Sequence, residues 1–307
     1  MLDGSEEKQN QRNLVKVNSL DSNLGCTHIL YGDVDRHFAS WEGHLSLKTF
    51  SNGQAFYNVG GGNCVVNDDT FLLVNEHQPY TITIDAKPAV ESFVIFFESE
   101  FVEEVERNLT GTTVDLLDNP KKPVTRKIEF IPRLYPRRYI EESLWRFRRH
   151  IRQLKDSDQI WLRESLHEIM TGILAARDQT FQEIEQLSAV RASTREEIYK
   201  RVYRARDFAA ASFSQSLTLD EIAKVACLSP NHLLRSFKQI FRQTPHKYLT
   251  SLRLREAQKL LEQTDLSIIT ICQAVGFESH TSFSLLFRRH FGTSPDQYRR
   301  QKRSDVS

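Results

Sequence analysis

The last third of the sequence contains an internal repeat, and this repeat restricts the possible folds more than any other feature. Residues 217–245 align with residues 266–295, and the apolar positions keep their spacing throughout. Such a repeat indicates one supersecondary unit present twice. The matched pairs are Leu217/Leu266, Ile222/Ile271, Ala226/Val275 and Leu228/Phe277, 49 residues apart, then Leu233/Phe283, Phe237/Phe287, Phe241/Phe291 and Pro245/Pro295, 50 residues apart.

Each copy has the pattern of a helix-turn-helix, which we place at residues 218–239 and 265–288. In the first copy a short helix precedes a longer one, and the small Ala223 permits a close crossing of the two. In the second copy Gly276 stands in the turn, where glycine readily adopts a positive φ. The Phe residues of each longer helix recur every four positions, which leaves the opposite face to solvent.

A single long helix is predicted between the copies, over residues 245–263. Thr244-Pro245 supplies an N-cap hydroxyl followed by a proline in the first turn, and Ser294-Pro295 does the same after the second copy. A rigid connector fixes the spacing of the two longer helices. Because the major groove recurs every ~34 Å on one side of B-DNA, both helices could contact one duplex. The buried face predicted for the connector contains Tyr248, Leu252, Ala257, Leu260 and Leu261.

Charge is distributed unevenly along the chain. Residues 194–307 hold 19 Lys or Arg and 11 Asp or Glu, a net charge of +8, whereas residues 1–193 carry −7. A basic segment joined to an acidic one indicates that the C-terminal part contacts a polyanion such as double-stranded DNA.

Residues 40–98 are typical of short strands separated by turns rich in Gly, Asn and Asp. The strand candidates are AFYNV, CVV, TFLLVN, YTITID and SFVIFF, and in YTITID the apolar residues alternate with threonine. This period is that of a half-buried strand, and the whole pattern predicts a small barrel or sandwich.

Two heptad seams follow and predict a helical hairpin. Their residues step by four and three, as in a coiled coil. Two interpretations stay open, since the seams could face another subunit or could pack on the barrel. The seams are Ile140, Leu144, Phe147, Ile151 and Leu154, then Leu162, Leu166, Ile169, Ile173 and Ala176.

Residues 200–302 resemble the DNA-binding domain of the AraC/XylS family of transcription regulators. The resemblance is carried, in order, by LTLDEIAKVACLSPNHLLRSFK, by the connector helix and by GFESHTSFSLLFRRHFGTSPDQYR. It implies an α+β chain with a cupin-like β-barrel sensor at 1–138, a helical dimerisation hairpin at 139–193 and an all-α DNA-binding domain at 194–307. It further implies a homodimeric, sequence-specific regulator, favours an activator, and implies RNA polymerase as a partner.

The family's DNA contacts lie on the exposed face of each longer helix. Asn pairs with adenine and Arg with guanine in the major groove, whereas other basic residues hold phosphates. Leu285 departs from the family, which often has a long polar residue there. For Arg253 the residues favour a structural salt bridge over a DNA contact. The candidate contacts are Ser229, Asn231, His232, Arg235 and Lys238 in the first copy, and Ser279, His280, Thr281, Ser284, Arg288 and Arg289 in the second.

A small-molecule effector in the barrel is implied by the resemblance alone. The residues predicted to line its pocket are Trp41, Phe56, Tyr57, His77 and Tyr80. No His-x-His motif occurs, so no metal site and no cofactor are predicted. Two other functions stay open: a cupin-type metalloenzyme with a helical appendage, and a DNA-binding protein that has no effector.

The cellular compartment is predicted from the cysteines and from apolar runs. The four cysteines have no CxxC spacing, and the polar first residues do not resemble a signal peptide. No apolar run reaches the roughly 20 residues that a membrane span needs. We therefore expect a cytoplasmic protein without enzymatic activity.

Overall fold

The computed structural model describes residues 18–21, 26–111, 128–151, 153, 158–188 and 191–304. The chain divides into two compact units, residues 1–186 and 187–307. The first unit holds all the strands of the described chain, three α-helices and a short 3-10 helix (Arg137–Tyr139), and the second is helical.

The first unit contains an antiparallel sheet that curls into a nearly closed barrel. Its strand order is β1-β2-β7-β3-β6-β8, and β4 pairs with both β5 and β7. The long β7 makes this possible, because β4 and β3 pair with different ends of it while β2 runs along its other edge. The strands are β1 (Asn18–Asp21), β2 (Cys26–Trp41), β3 (Ser46–Ser51), β4 (Ala55–Val59), β5 (Gly62–Val66), β6 (Thr70–Val74), β7 (Tyr80–Phe97) and β8 (Leu134–Pro136).

The strands agree with the sequence patterns in position but not in length. The hairpin of β4 and β5 turns at Gly60 and Gly61, which both have positive φ. YTITID and SFVIFF, predicted as two strands, are the two halves of β7. The 16-residue β2 begins well before the predicted region. Its pattern was missed because its exposed positions carry residues as different as Arg36 and Phe38.

Two apolar cores lie on opposite faces of the sheet, and β3 contributes to both. One core is the barrel interior, which holds Phe50, Tyr57, Tyr80 and Ile82. The other lies between the outside of the barrel and the helices, and it contains Leu47. Because successive side chains of a strand point to opposite faces, almost every residue of β3 is buried.

Three helices cover one face of the barrel: α1 (Ser99–Thr110), α2 (Glu141–Ile151) and α3 (Gln159–Glu185). Helix α1 was not predicted. It is tied to α3 by the ion pair of Arg177 with Glu106, whose nearest atoms are 2.6 Å apart, and by that of Arg163 with Glu104 at 2.7 Å.

Both heptad seams face the barrel. Phe147 and Ile169, one from each seam, are fully buried in the core between barrel and helices, together with the other described seam residues. Of the two interpretations, packing on the barrel is therefore the arrangement found, and the seams do not present a face to another subunit. Leu154 lies outside the described residues.

The second unit is built from two helical cores that repeat the same plan. Phe237 and Leu233 occupy in the first core the positions that Phe287 and Phe283 occupy in the second. The helices are α4 (Ala192–Ala211), α5 (Leu219–Val225), α6 (Pro230–Phe241), α7 (Pro245–Gln263), α8 (Ile268–Ala274), α9 (His280–Phe291) and α10 (Pro295–Ser304).

Candidate nucleic-acid interface

The turns of the two helix-turn-helix units have the same backbone geometry. Cys227 and Gly276, 49 residues apart, both adopt positive φ, at 51° and 85°. The next residue closes the turn in each copy: Leu228 N donates to Ala223 O and Phe277 N to Cys272 O, both at 3.0 Å. The repeat in sequence is therefore a repeat in hydrogen bonding through the turn, after which α9 has one more residue before its cap than α6 has.

Serine hydroxyls begin both of the longer helices, α6 and α9, which we call the recognition helices. Ser229 Oγ accepts a hydrogen bond from His232 N, and Ser279 Oγ accepts one from Ser282 N, both at 3.3 Å. Each hydroxyl keeps its proton free to donate, and the helix N-terminus favours an anion beside it.

The exposed face of α6 carries most of the residues predicted for the first copy. Asn231, Arg235 and Lys238 are exposed, whereas His232 is half-buried. Within the described ranges, neither Arg235 nor Lys238 has a carboxylate within 4.0 Å. Both cations are therefore available to a phosphate or a base edge.

The exposed face of α9 carries four of the five residues predicted along that helix. His280, Thr281, Arg288 and Arg289 are exposed, while Ser284 is half-buried. Leu285, 68% exposed, lies one turn from Thr281 on the same stripe. Hydrogen-bond donors therefore stand at the two ends of this stripe and an apolar side chain lies between them.

The connector α7 is one continuous helix, but its buried face differs from the prediction. Of the five residues expected there, Ala257 and Leu261 are buried and the other three are half-buried. Leu249 and Leu254 are buried instead. The difference arises because the two ends of α7 pack against different cores, so no single stripe runs its whole length.

Arg253 of α7 has a structural role, although not through a salt bridge. Its Nε donates to Phe213 O and its Nη2 to Gln215 O, both at 2.7 Å. The guanidinium thus holds the loop between α4 and α5. Among the described residues its hydrogen-bond partners are these backbone oxygens, while the carboxylate of Glu278 acts on it at longer range.

A cleft of about 540 Å³ lies between the start of α4 and the start of α6. Arg201 crosses it, with its Nε 2.7 Å from Glu197 Oε1 and its Nη1 donating to Cys227 O at 3.1 Å. Ser229 and His232, both predicted to contact DNA, lie on its wall. Nothing in the sequence distinguishes Arg201, because an arginine on a polar helix face is common.

In the barrel, three of the five predicted effector contacts face the interior or its rim. Tyr57 and Tyr80 are buried with ring centroids 5.8 Å apart, and Trp41, the cross-strand partner of Tyr80, is 45% exposed. Phe56 points outward, because it alternates with Tyr57 along β4. His77 is exposed in the turn before β7. Neither Phe56 nor His77 therefore lines the interior.

The barrel interior also contains Lys48, which the sequence analysis did not single out. Burial lowers the pKa of Lys48 to about 7, and burial raises the pKa of Tyr80 to about 12. The described residues form no cluster of three or more His, Cys, Asp or Glu side chains that could hold a metal ion. None of the described helices is long and apolar enough to cross a membrane.

The second unit matches known proteins. A family model described as a helix-turn-helix domain matches residues 222–301. The HTH-type transcriptional regulator ArgR of Pseudomonas aeruginosa is 42% identical over 93 residues, which are 30% of this chain and 28% of that protein. "Probable transcription factor PqrA" of Proteus vulgaris is 36% identical over 86 residues, 28% of this chain and 70% of that protein.

The chain belongs to the AraC/XylS family of transcription regulators. Among solved structures, the C-terminal domain of AraT, a response regulator from Geobacillus stearothermophilus, is 38% identical. The match covers 33% of this chain and 84% of the AraT domain, with a TM-score of 0.32. The match to ArgR spans under a third of that protein, so the AraC/XylS likeness lies in the DNA-binding domain.

Proposed function

We propose that this chain is a sequence-specific transcription regulator that binds double-stranded DNA with both recognition helices. The observation that carries the proposal is the repeated frame: the same turn and serine cap present two helices whose exposed faces bear cations without ion-pair partners among the described residues. The net charge of +8 on residues 194–307 supports an anionic partner.

The two recognition helices have different roles in this proposal. On α6, Asn231 and Arg235 read base edges, because both side chains form bidentate pairs in the major groove, and Lys238 holds a phosphate. On α9, His280, Thr281 and Ser284 lie nearest the bases, while Arg288 and Arg289 hold the backbone. Ser229, His232 and Ser279 contact phosphates at the helix starts.

The barrel is proposed to be a cupin-like sensor that gates DNA binding through a small molecule. A regulator of this type shifts between two states only if the ligand binds them with different affinity. Several relatives bear names of operon regulators, for example the melibiose operon regulatory protein of Escherichia coli. On the family resemblance alone, we propose an activator that contacts RNA polymerase and has no enzymatic activity.

We also propose homodimerisation, but through a surface other than the heptad seams. The seam residues are buried within the chain's own core, so a dimer that forms through the hairpin has to use its outer side. Trp145 on α2 and Ile160 on α3 are the exposed large apolar residues there. Sedimentation of the full chain at micromolar concentration tests this, since a monomer would contradict it.

The test of DNA recognition uses the full chain and a selection from random duplexes. A consensus site should emerge, and affinity for it should fall steeply with salt. Arg235→Ala should relax the preference at one base pair, whereas Arg289→Ala should weaken binding to every duplex alike. Lys259→Ala, which removes a lysine paired with Glu256 on α7, serves as the control and should change neither. Salt-independent binding, or the same loss in both arginine variants, would contradict the assignment.

A further inference from the structure

Lys48 lies in the middle of the barrel interior. It belongs to β3, which runs between β6 and β7, and only 2% of its surface is exposed. Its neighbour Leu47 packs towards the helices, so Lys48 points to the opposite side. There its Nζ donates a hydrogen bond to Tyr80 Oη at 3.0 Å.

In its protonated form, Lys48 has no counter-charge among the residues that the structure describes. No described carboxylate lies within 4.0 Å of Nζ. Besides Tyr80 Oη, its surroundings are aromatic, with the ring centroids of Phe96 and Tyr80 at 4.3 and 4.7 Å. A lysine has three N–H donors, and a buried cation without an anion is costly. Burial alone lowers the pKa of Lys48 to about 7, whereas an anion beside Nζ would stabilise the ammonium form, so the site favours an acidic partner from outside the chain.

Other polar groups face the same interior. Ser46 precedes Lys48 by two residues and shares its face of β3; its Oγ is buried and has no hydrogen-bond partner among the described residues. His37 of β2 stands close enough for Lys48 to lower its pKa, in addition to the larger effect of burial. The Lys48 side chain and the hydroxyls of Ser46 and Tyr80 therefore face the same interior as hydrogen-bond donors.

We propose that Lys48 anchors the carboxylate of a small organic acid inside the barrel, with Ser46 and Tyr80 as additional donors. One cation without an arginine fits a monocarboxylate better than a phosphate dianion. The aromatic and apolar side chains around it, Phe50, Tyr57 and Phe96, fit an apolar body on that acid. The half-exposed Trp41, the cross-strand partner of Tyr80, lies at an end of the barrel that borders solvent.

This inference rests on the proposed sensor role of the barrel and names the chemical class of its ligand. The test uses the full chain and two matched pairs of probes: hexanoate with hexanamide, and 3-phenylpropionate with 3-phenylpropionamide. Calorimetry should show each acid binding at least tenfold more tightly than its amide. Equal binding of acid and amide, or no binding of either acid, would overturn the proposal.

Two lysine variants locate the site. Lys48→Met should remove the preference for the acids, while Lys87→Met, at an exposed lysine of β7, should keep it. If Lys48→Met binds the acids as tightly as the parent protein does, Lys48 is not the anchor. If that variant does not fold, Lys48→Arg retains the charge and should retain the preference for acid over amide. Loss of the preference in a folded Lys48→Arg protein would count against the assignment.

DNA binding measured in the same samples separates this inference from the proposed gating. If the acids bind through Lys48 and leave DNA affinity unchanged, the site stands and the gating fails. If only uncharged compounds bind and they alter DNA affinity, the gating stands and the acid site is refuted.

Discussion

Arg235 and Leu285 occupy equivalent positions, 50 residues apart, on the exposed faces of the two recognition helices. Both helices begin at a serine cap and pack through apolar residues at matched positions, so the difference between a guanidinium and an isobutyl group changes which base edges each helix can contact. Arginine pairs with guanine through two hydrogen bonds, whereas leucine offers only apolar contact, for example with a thymine methyl group.

The first prediction compares these two residues directly. Arg235→Ala should reduce affinity for the selected site by about 1–3 kcal/mol, because it removes a bidentate contact. Leu285→Ala should cost less than about 1 kcal/mol, since only apolar contact is lost. Fluorescence anisotropy with the selected duplex measures both, and equal losses would show that the two copies contribute alike.

The second prediction concerns the turns. A Cβ on Gly276 would lie 2.6 Å from the backbone oxygen of Ser214, and the φ of +85° is unfavourable for any other residue. Gly276→Ala should therefore destabilise the second unit by about 1–2 kcal/mol or more. Cys227→Gly, at the equivalent position, should stay within about 0.5 kcal/mol of the parent, because relief of φ strain offsets the added freedom of the unfolded chain. Thermal unfolding compares the pair, and a tolerated Gly276→Ala would contradict the geometry.

The third prediction distinguishes the structural role of Arg253 from a DNA contact. Removing its two hydrogen bonds to Phe213 O and Gln215 O should cost about 1–3 kcal/mol of stability in Arg253→Ala. Arg255→Ala, at an exposed arginine two residues along α7, should cost under about 0.5 kcal/mol. Urea unfolding measures both. A stable Arg253→Ala protein with weakened DNA binding would assign Arg253 to the interface instead.

The fourth prediction follows from the pKa of Lys48, which burial lowers from 10.5 to about 7. Between these two values the unfolded chain holds a proton that the folded chain has released, so the stability of the folded state rises with pH. Relative to Lys48→Met, the parent protein should gain up to about 1.4 kcal/mol per pH unit from pH 7 to 9.

Unfolding of both proteins at pH 7, 8 and 9 measures this gain. Tyr57 and Tyr80 do not interfere, because burial raises their pKa above 10. A stability difference that stayed constant over this range would show that Lys48 is protonated in the folded state throughout.

The helical unit was predictable from the sequence because its determinants are local. Proline after a hydroxyl residue begins α7 and α10, and Phe residues every four positions define the buried face of α6 and α9. The candidate DNA contacts were then predicted on the opposite, exposed face of each recognition helix. Only Ser284 and His232 are less exposed than expected, since each lies at the boundary between the two faces.

The barrel was predictable only in outline, because its determinants are not local. The sequence pattern predicts that Lys48 is exposed, because it alternates with the apolar Leu47. Both faces of β3 are nevertheless buried, because helices pack on the outside of the barrel. For the same reason the heptad seams could not be assigned to a partner or to the barrel from spacing alone. Phe56 and His77 have side chains suited to an effector pocket, but strand register, which the sequence does not reveal, decides that neither faces the barrel interior.

Leu47 and Lys48 are consecutive residues that face two different cores, so β3 separates these cores and contributes side chains to both. A displacement of the β3 backbone along the sheet normal moves both side chains in the same direction, because a single planar peptide unit joins them. An occupant that pushes on Lys48 from within the barrel therefore also presses Leu47 against the side chains of the helical layer. No hinge or mobile loop is needed to transmit such a push, because only the one strand β3 separates the barrel interior from the core beneath the helices.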